Sequence, residues 1–100
     1  MDLSYILNHL GEEREEYFNA VAPPVIQSSN FCFKDVKSMR DGLKTELEIP
    51  FYTRGYNPGI AILRKKIAAL EGTEDALVFG SGSAAVAAAV MSVVKSGDHV

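Results

Sequence analysis

"NPGIAILRKKIAALEGTEDALVFGSGSAAVAAAV", residues 57–90, runs through a helix, a short apolar segment, a glycine turn and a second helix. Asn57 is a good N-cap and Pro58 a good first helical residue, since proline lacks an N–H that the first turn would leave unpaired anyway. Ile60, Leu63, Ile67 and Leu70 recur on one stripe, with Arg64, Lys65 and Lys66 directed to water. Gly72 supplies the C-terminal stop. "ALVF", residues 76–79, is the kind of short apolar run that a buried parallel strand shows. Gly80-Ser81-Gly82-Ser83 turns the chain into the alanine-rich helix, and Gly97-Asp98 releases it toward a new strand at His99. The order predicts an α/β fold, with a mostly parallel sheet and flanking helices.

The first half is less regular. Asp2 caps a short helix carrying Leu3, Ile6, Leu7 and Leu10 on one face, which Gly11 ends or interrupts. Tyr17, Phe18 and Val21 continue a sparse apolar face, and Pro23-Pro24 stops any helix. "VIQSSNFCF", residues 25–33, reads as an extended arm; "KDVKSMRDGLK", residues 34–44, gives one or two helical turns closed by Gly42. Two units follow: residues 1–56, a helix and arm, and residues 57–100, the start of a larger α/β domain. A parallel sheet needs the strand at His99 and others after it, so the segment is expected to be the N-terminal part of something longer.

Composition narrows the function. The chain of 100 residues is 47% hydrophobic and 23% charged, as globular chains are. A net charge of -3 argues against nonspecific nucleic-acid binding, which needs a basic footprint. The run Glu12-Glu13-Arg14-Glu15-Glu16 reads as the solvated face of a helix. The single cysteine excludes an intrachain disulfide and points to a reducing, cytoplasmic setting; Cys32, between Phe31 and Phe33, is expected as a small buried hydrophobe. No basic n-region marks a signal peptide. The uncharged stretch Ala84–Val94 is too short for a membrane crossing, which takes about 20 residues, and reads as a buried helix.

Two motifs carry chemistry. A strand passing through small residues into a helix leaves several backbone N–H groups unpaired at one point, where the helix dipole adds positive charge. Glycines at 80 and 82 let that backbone approach a phosphate, and Ser81 or Ser83 can add a hydroxyl. The same residues equally make a tight turn with no ligand. They also match the dinucleotide pattern G-x-G-x-x-A. That fingerprint needs an acidic residue at the far end of the next strand, and Asp98 stands before its strand, which counts against NAD.

The second motif is "PFYTRGYNPG", residues 50–59. Arg54 offers a planar fork of donors and Tyr52 a phenol. In an extended loop residues i and i+2 point the same way, so both converge on one anion while Thr53 faces away. A surface arginine packed on tyrosine by cation–π contact is the plain alternative. Taken together, the motifs imply a phosphate site made of a helix N-terminus plus a tyrosine–arginine pair.

These stretches resemble the Cys/Met-metabolism family of pyridoxal-phosphate enzymes. The trans-sulfuration enzymes belong to it: cystathionine synthases and lyases, methionine γ-lyase and O-acetylhomoserine sulfhydrylase. The family's Y-S-R-x-x-N-P-T is similar to Tyr52-Thr53-Arg54-Gly55-Tyr56-Asn57-Pro58-Gly59. Its A-L-E-x-x-E-x-A-L-x-F-x-S-G-M-A-A is similar to Ala69-Leu70-Glu71 through Ser81-Gly82-Ser83-Ala84-Ala85, and "AVAPPVIQSSNFCF" resembles A-V-x-P-P-I-x-Q-T-S-T-F. The likeness runs from about Ala20 to Val100.

The resemblance implies an extended N-terminal arm followed by the start of a fold-type-I large domain. It implies pyridoxal 5'-phosphate as cofactor, with no metal, and sulfur-amino-acid or activated-homoserine substrates of methionine and cysteine metabolism. The reaction would be γ- or β-elimination or replacement in a cytoplasmic homotetramer of dimers that share active sites. Backbone amides of Gly82 and Ser83 would bind the phosphate, Tyr52 and Arg54 would reach the phosphate held by a neighbouring subunit, and Phe51 would wall the substrate entrance. Ser83 replaces the family's usual methionine, Gly59 its threonine and Thr53 its serine; none touches the tyrosine–arginine pair. Such an enzyme needs a Schiff-base lysine and an acidic partner for the pyridine nitrogen; Lys34, Lys37, Lys44, Lys65, Lys66 and Lys95 all lack the context of that lysine, which is expected after residue 100 together with the aromatic residue that stacks on the ring. The segment alone is therefore expected to be inert. Two other readings stay open: a different phosphate- or nucleotide-binding α/β enzyme, and a non-catalytic oligomerisation fragment.

Overall fold

Capping side chains set where each helix begins. In the computed structural model, which describes residues 1–100, four α-helices are present: α1 (Leu3–Asn8), α2 (Val36–Leu43), α3 (Pro58–Glu71) and α4 (Gly82–Met91), with a 3-10 turn at Arg14–Tyr17. Asp2 accepts from the Tyr5 N–H at 3.1 Å, Asp35 from Ser38 at 2.7 Å, Asn57 from Gly59 at 2.9 Å and Ser81 from Ala84 at 3.1 Å. Each such cap is worth about 1 kcal/mol. Gly72 ends α3 in the left-handed region at φ 68°, its N–H donating to Ala68 O, as the sequence predicts.

α1 and α3 pack together, and they are the one helix pair that does. Ile6 and Ala68 are buried between them. The contact is closed by an ionic cluster that corrects the expectation for the acidic run. Glu12 is buried: Oε1 lies 2.6 Å from Lys66 Nζ, and Oε2 lies 2.6 Å from Arg14 Nη2. Lys66 also donates to Leu7 O at 2.8 Å, and Arg14 to Asn8 O at 2.7 Å, so both cations tie up carbonyls at the end of α1. Gly11, at φ 76°, makes the turn that brings Glu12 back under α3. Lys66 thus faces this cluster rather than water, and Arg64 is bonded to Asp75 and Ala76.

Two further expectations change. Gly42 lies inside α2 instead of closing it, and it is buried because Phe33 and Ile49 press on it. A Cβ there would meet Ile49 Cδ1 at 3.0 Å and Phe33 Cε1 at 3.1 Å. Cys32 is exposed. Alternation along the arm turns Phe31 and Phe33 inward and leaves Cys32 and Lys34 outside.

The expected sheet is absent. The sole β pairing is an antiparallel bridge between Asn30 and Tyr52, and residues 76–79 and 99–100 join no ladder. A strand is defined by its neighbour, and none lies beside these segments. Consistently, Ile60, Leu63, Ile67 and Leu70 are 37–47% exposed, and Val86 and Met91 of α4 are open to solvent, not buried as the sequence suggests. The radius of gyration is 16.6 Å, against about 13 Å for a compact domain of this length. The molecule presents helix faces rather than a closed core. No helix is long and apolar enough to cross a membrane.

Candidate phosphate-binding site

Residues 52–56 form a turn, not the extended loop expected. Tyr52 O accepts from Gly55 N at 2.9 Å and from Tyr56 N at 3.0 Å. The arm holds the turn from outside: Thr53 N donates to Ser29 O at 3.0 Å, beside the Asn30–Tyr52 bridge. The two candidate side chains meet all the same. Arg54 Nη2 donates to Tyr52 Oη at 3.1 Å, and its guanidinium carbon lies 5.1 Å from the centroid of the Tyr52 ring.

This packing is the plain alternative of the sequence reading, and it leaves donors of both side chains unspent. Arg14 and Arg64 are held by carboxylates, whereas Arg54 makes no ion pair. A guanidinium has five donors, so most of Arg54's remain available, and the Tyr52 hydroxyl keeps its own proton. Both residues are exposed. The ring fixes the fork in direction, and a donor held in this way loses less entropy on meeting an acceptor.

The second half lies at the start of α4. Ser81, at φ −151° and ψ 155°, is the cap, so Gly82 and Ser83 are the first two helical residues. Their amides have no acceptor in the chain. A Cβ built on Gly80 or Gly82 would meet nothing within 4 Å, and residues 80–83 are all exposed. A phosphate fits this helix start: two free N–H groups, the positive end of the dipole and no side chain in the way. Sequence reasoning missed that Ser81 is already engaged as cap, although serine before an alanine-rich run signals it.

Tyr52 and Arg54 are thus brought together, and so are Gly82 and Ser83, but the two halves share no cavity. The hollow beside the turn is lined by Thr53, Arg54, Asn57, Arg64 and Val78, without Gly82 or Ser83. Arg64 was read as a solvated residue; it orients the approach to α4, donating to Ala76 O at 2.7 Å and to the Asp75 carboxylate. That bond holds the Asp75 carboxyl below the usual range. Asp98 accepts from Lys95 N at 2.8 Å and so serves its own turn.

The open start of α4 and the tyrosine–arginine pair are two parts of the chain whose chemistry suits a phosphate. The chain belongs to the Cys/Met metabolism PLP-dependent enzyme family, which matches it over residues 5–100. It is 36% identical over 92 residues to an L-methionine gamma-lyase of Pseudomonas deceptionensis, covering 92% of this chain and 23% of that protein. It is 33% identical to an O-acetyl-L-homoserine sulfhydrylase of Corynebacterium glutamicum and 36% identical to a canavanine gamma-lyase of Rhizobium leguminosarum bv. trifolii, each over 92 residues, or 92% of this chain. Of those two relatives it covers 21% and 22%, so the chain spans between a fifth and a quarter of the length of the curated relatives it matches. No solved structure matches it.

Proposed function

We propose that the chain is the N-terminal portion of a pyridoxal-phosphate enzyme acting on sulfur amino acids or activated homoserine by γ- or β-elimination or replacement. Residues 1–56 serve as an intersubunit arm, and residues 57–100 begin the large α/β domain. The Gly82 and Ser83 amides bind the cofactor phosphate within the protomer. Tyr52 and Arg54 reach across a dimer interface to the phosphate held by a second copy, within a cytoplasmic homotetramer. Phe51 walls the substrate entrance. Bound pyridoxal phosphate supplies an electron sink for negative charge developing on an amino-acid substrate. This segment's part is to hold and orient the phosphate, which requires no lysine from it.

The observation that carries the reading is the Arg54–Tyr52 hydrogen bond of 3.1 Å on a turn anchored to the arm. A cation without a carboxylate, preset on an aromatic ring, suits a ligand brought by another chain. The test is a visible absorption scan of the full-length protein. A cofactor band that borohydride reduction removes supports the reading. A colourless protein that copurifies with nucleotide overturns it.

A further inference from the structure

The arm and the Tyr52 turn meet along one register. Asn30 bridges Tyr52, Ser29 O accepts from Thr53 N, and Ile26 O accepts from Asn57 Nδ2 at 3.0 Å. Reading from 30 back to 26 on the arm meets 52 forward to 57 on the loop, which is the order of an antiparallel pair. Gly55 N and Tyr56 N are spent on Tyr52 O and Thr53 N on Ser29 O, and no backbone N–H of the loop donates to Ile26 O. The Asn57 side chain supplies the missing rung.

Asn57 has a second partner, since its Oδ1 accepts from Gly59 N at 2.9 Å as the cap of α3. Ile26 O can only accept and Gly59 N can only donate, so the amide has a single orientation that satisfies both. One half-buried side chain therefore fixes the start of α3 and the arm at once. Tyr52 and Arg54 lie between these two fixed points.

We propose that Asn57 is a positioning residue for the tyrosine–arginine pair: its Nδ2–H to Ile26 O locks the arm in register and thereby aims Arg54, separately from its capping role. The inference rests on the reading of Arg54 as a cofactor-phosphate ligand. Aspartate or serine at this position still caps a helix, but neither donates to Ile26 O: the carboxylate has no proton to give, and the hydroxyl is too short.

The experiment compares full-length wild type with Asn57→Asp, Asn57→Ser and Arg54→Ala. Cofactor affinity is read from reconstitution of the apoprotein with pyridoxal phosphate, thermal midpoint from unfolding, and protection of the 52–56 amides from hydrogen exchange. The expected result is that both Asn57 variants bind cofactor about fivefold more weakly, the worth of one ordinary hydrogen bond. Exchange at 52–56 is faster while the thermal midpoint stays near that of wild type. Wild-type affinity in both Asn57 variants, with Arg54→Ala impaired, overturns the inference and leaves the Arg54 reading standing. Wild-type affinity in Arg54→Ala overturns both. Should Asn57→Asp fail to fold, Asn57→Ser decides alone.

Discussion

Lys66 Nζ sits 2.6 Å from Glu12 Oε1, joining positions 54 residues apart in a chain that buries few others. The Lys66 hydrogen bond holds the Glu12 carboxyl below the usual range, with Arg14 adding to it, although burial works the other way. A carboxylate with a lowered folded-state pKa contributes stability that is present above its unfolded value and lost as pH falls through the lowered one. Docking of α1 on α3 is therefore expected to hold at neutral pH and fail in acid. Glu12→Gln is expected to abolish the acid step and to cost about 3 kcal/mol at neutral pH, because two cations lose their partner. Hydrogen exchange of the α1 amides in full-length protein, corrected for intrinsic rates, checks this; an acid step that persists in Glu12→Gln contradicts it.

Gly42→Ala sets two effects against each other. Alanine in place of glycine within a helix gains about 1 kcal/mol, whereas forcing an extra methyl into a filled space costs about 1–3 kcal/mol. Ile49 Cδ1 can swing aside, but the Phe33 ring is backed by Phe51, with centroids 5.1 Å apart. Overpacking wins, and a net loss of about 1 kcal/mol is expected from the urea midpoint. A gain in stability would show that Phe33 yields freely.

Ser81→Asp separates the cap of α4 from the anion site proposed there. Aspartate caps as well as serine does, so the Ala84 N–H keeps an acceptor and the helix keeps its stability. The added charge faces the open Gly82 and Ser83 amides and repels a phosphate. Cofactor content after dialysis is expected to fall at least tenfold, as 1.4 kcal/mol of repulsion suffices for that. Retention at the wild-type level would remove the phosphate from this helix start.

Arg54→Lys keeps the charge but not the planar fork or its stacking on Tyr52. Loss of one charge-assisted bond, worth about 1.5–3 kcal/mol, is expected to weaken cofactor binding by tenfold or more. Tyr52→Phe preserves the ring at 5.1 Å and removes only the hydroxyl, so the smaller effect is expected there. Wild-type affinity in Arg54→Lys, measured by reconstitution, would mean that the fork itself contributes nothing.

Local chemistry was legible in the sequence, and distant partnership was not. Asp2, Asn57 with Pro58, and Gly72 act within a few residues of themselves, and each is found where residue type and spacing put it. The Tyr52–Arg54 meeting was also anticipated, though through strand alternation, whereas the structure achieves it with a turn. Glu12 looked like part of a solvated run because its partner Lys66 lies far along the chain. Gly42 looked like a stop because the side chains that crowd it, Phe33 and Ile49, leave no mark on its own helix. The run at 76–79 carries a strand's composition, but composition supplies no hydrogen-bond partner, and none is near.

Co-expression of two differently tagged full-length variants, Arg54→Ala and Gly82→Asp, tests the divided site most directly. Gly82→Asp puts a carboxylate at the phosphate without a clash inside the chain. If Arg54 serves the phosphate on its partner's α4, a hybrid dimer gathers both defects in one site and leaves the other intact. Purified hybrids are then expected to bind about half the wild-type complement of pyridoxal phosphate while either homodimer binds little. Hybrids that bind no more than the homodimers would mean that Arg54 and Gly82 of one protomer serve the same phosphate, and would contradict the account.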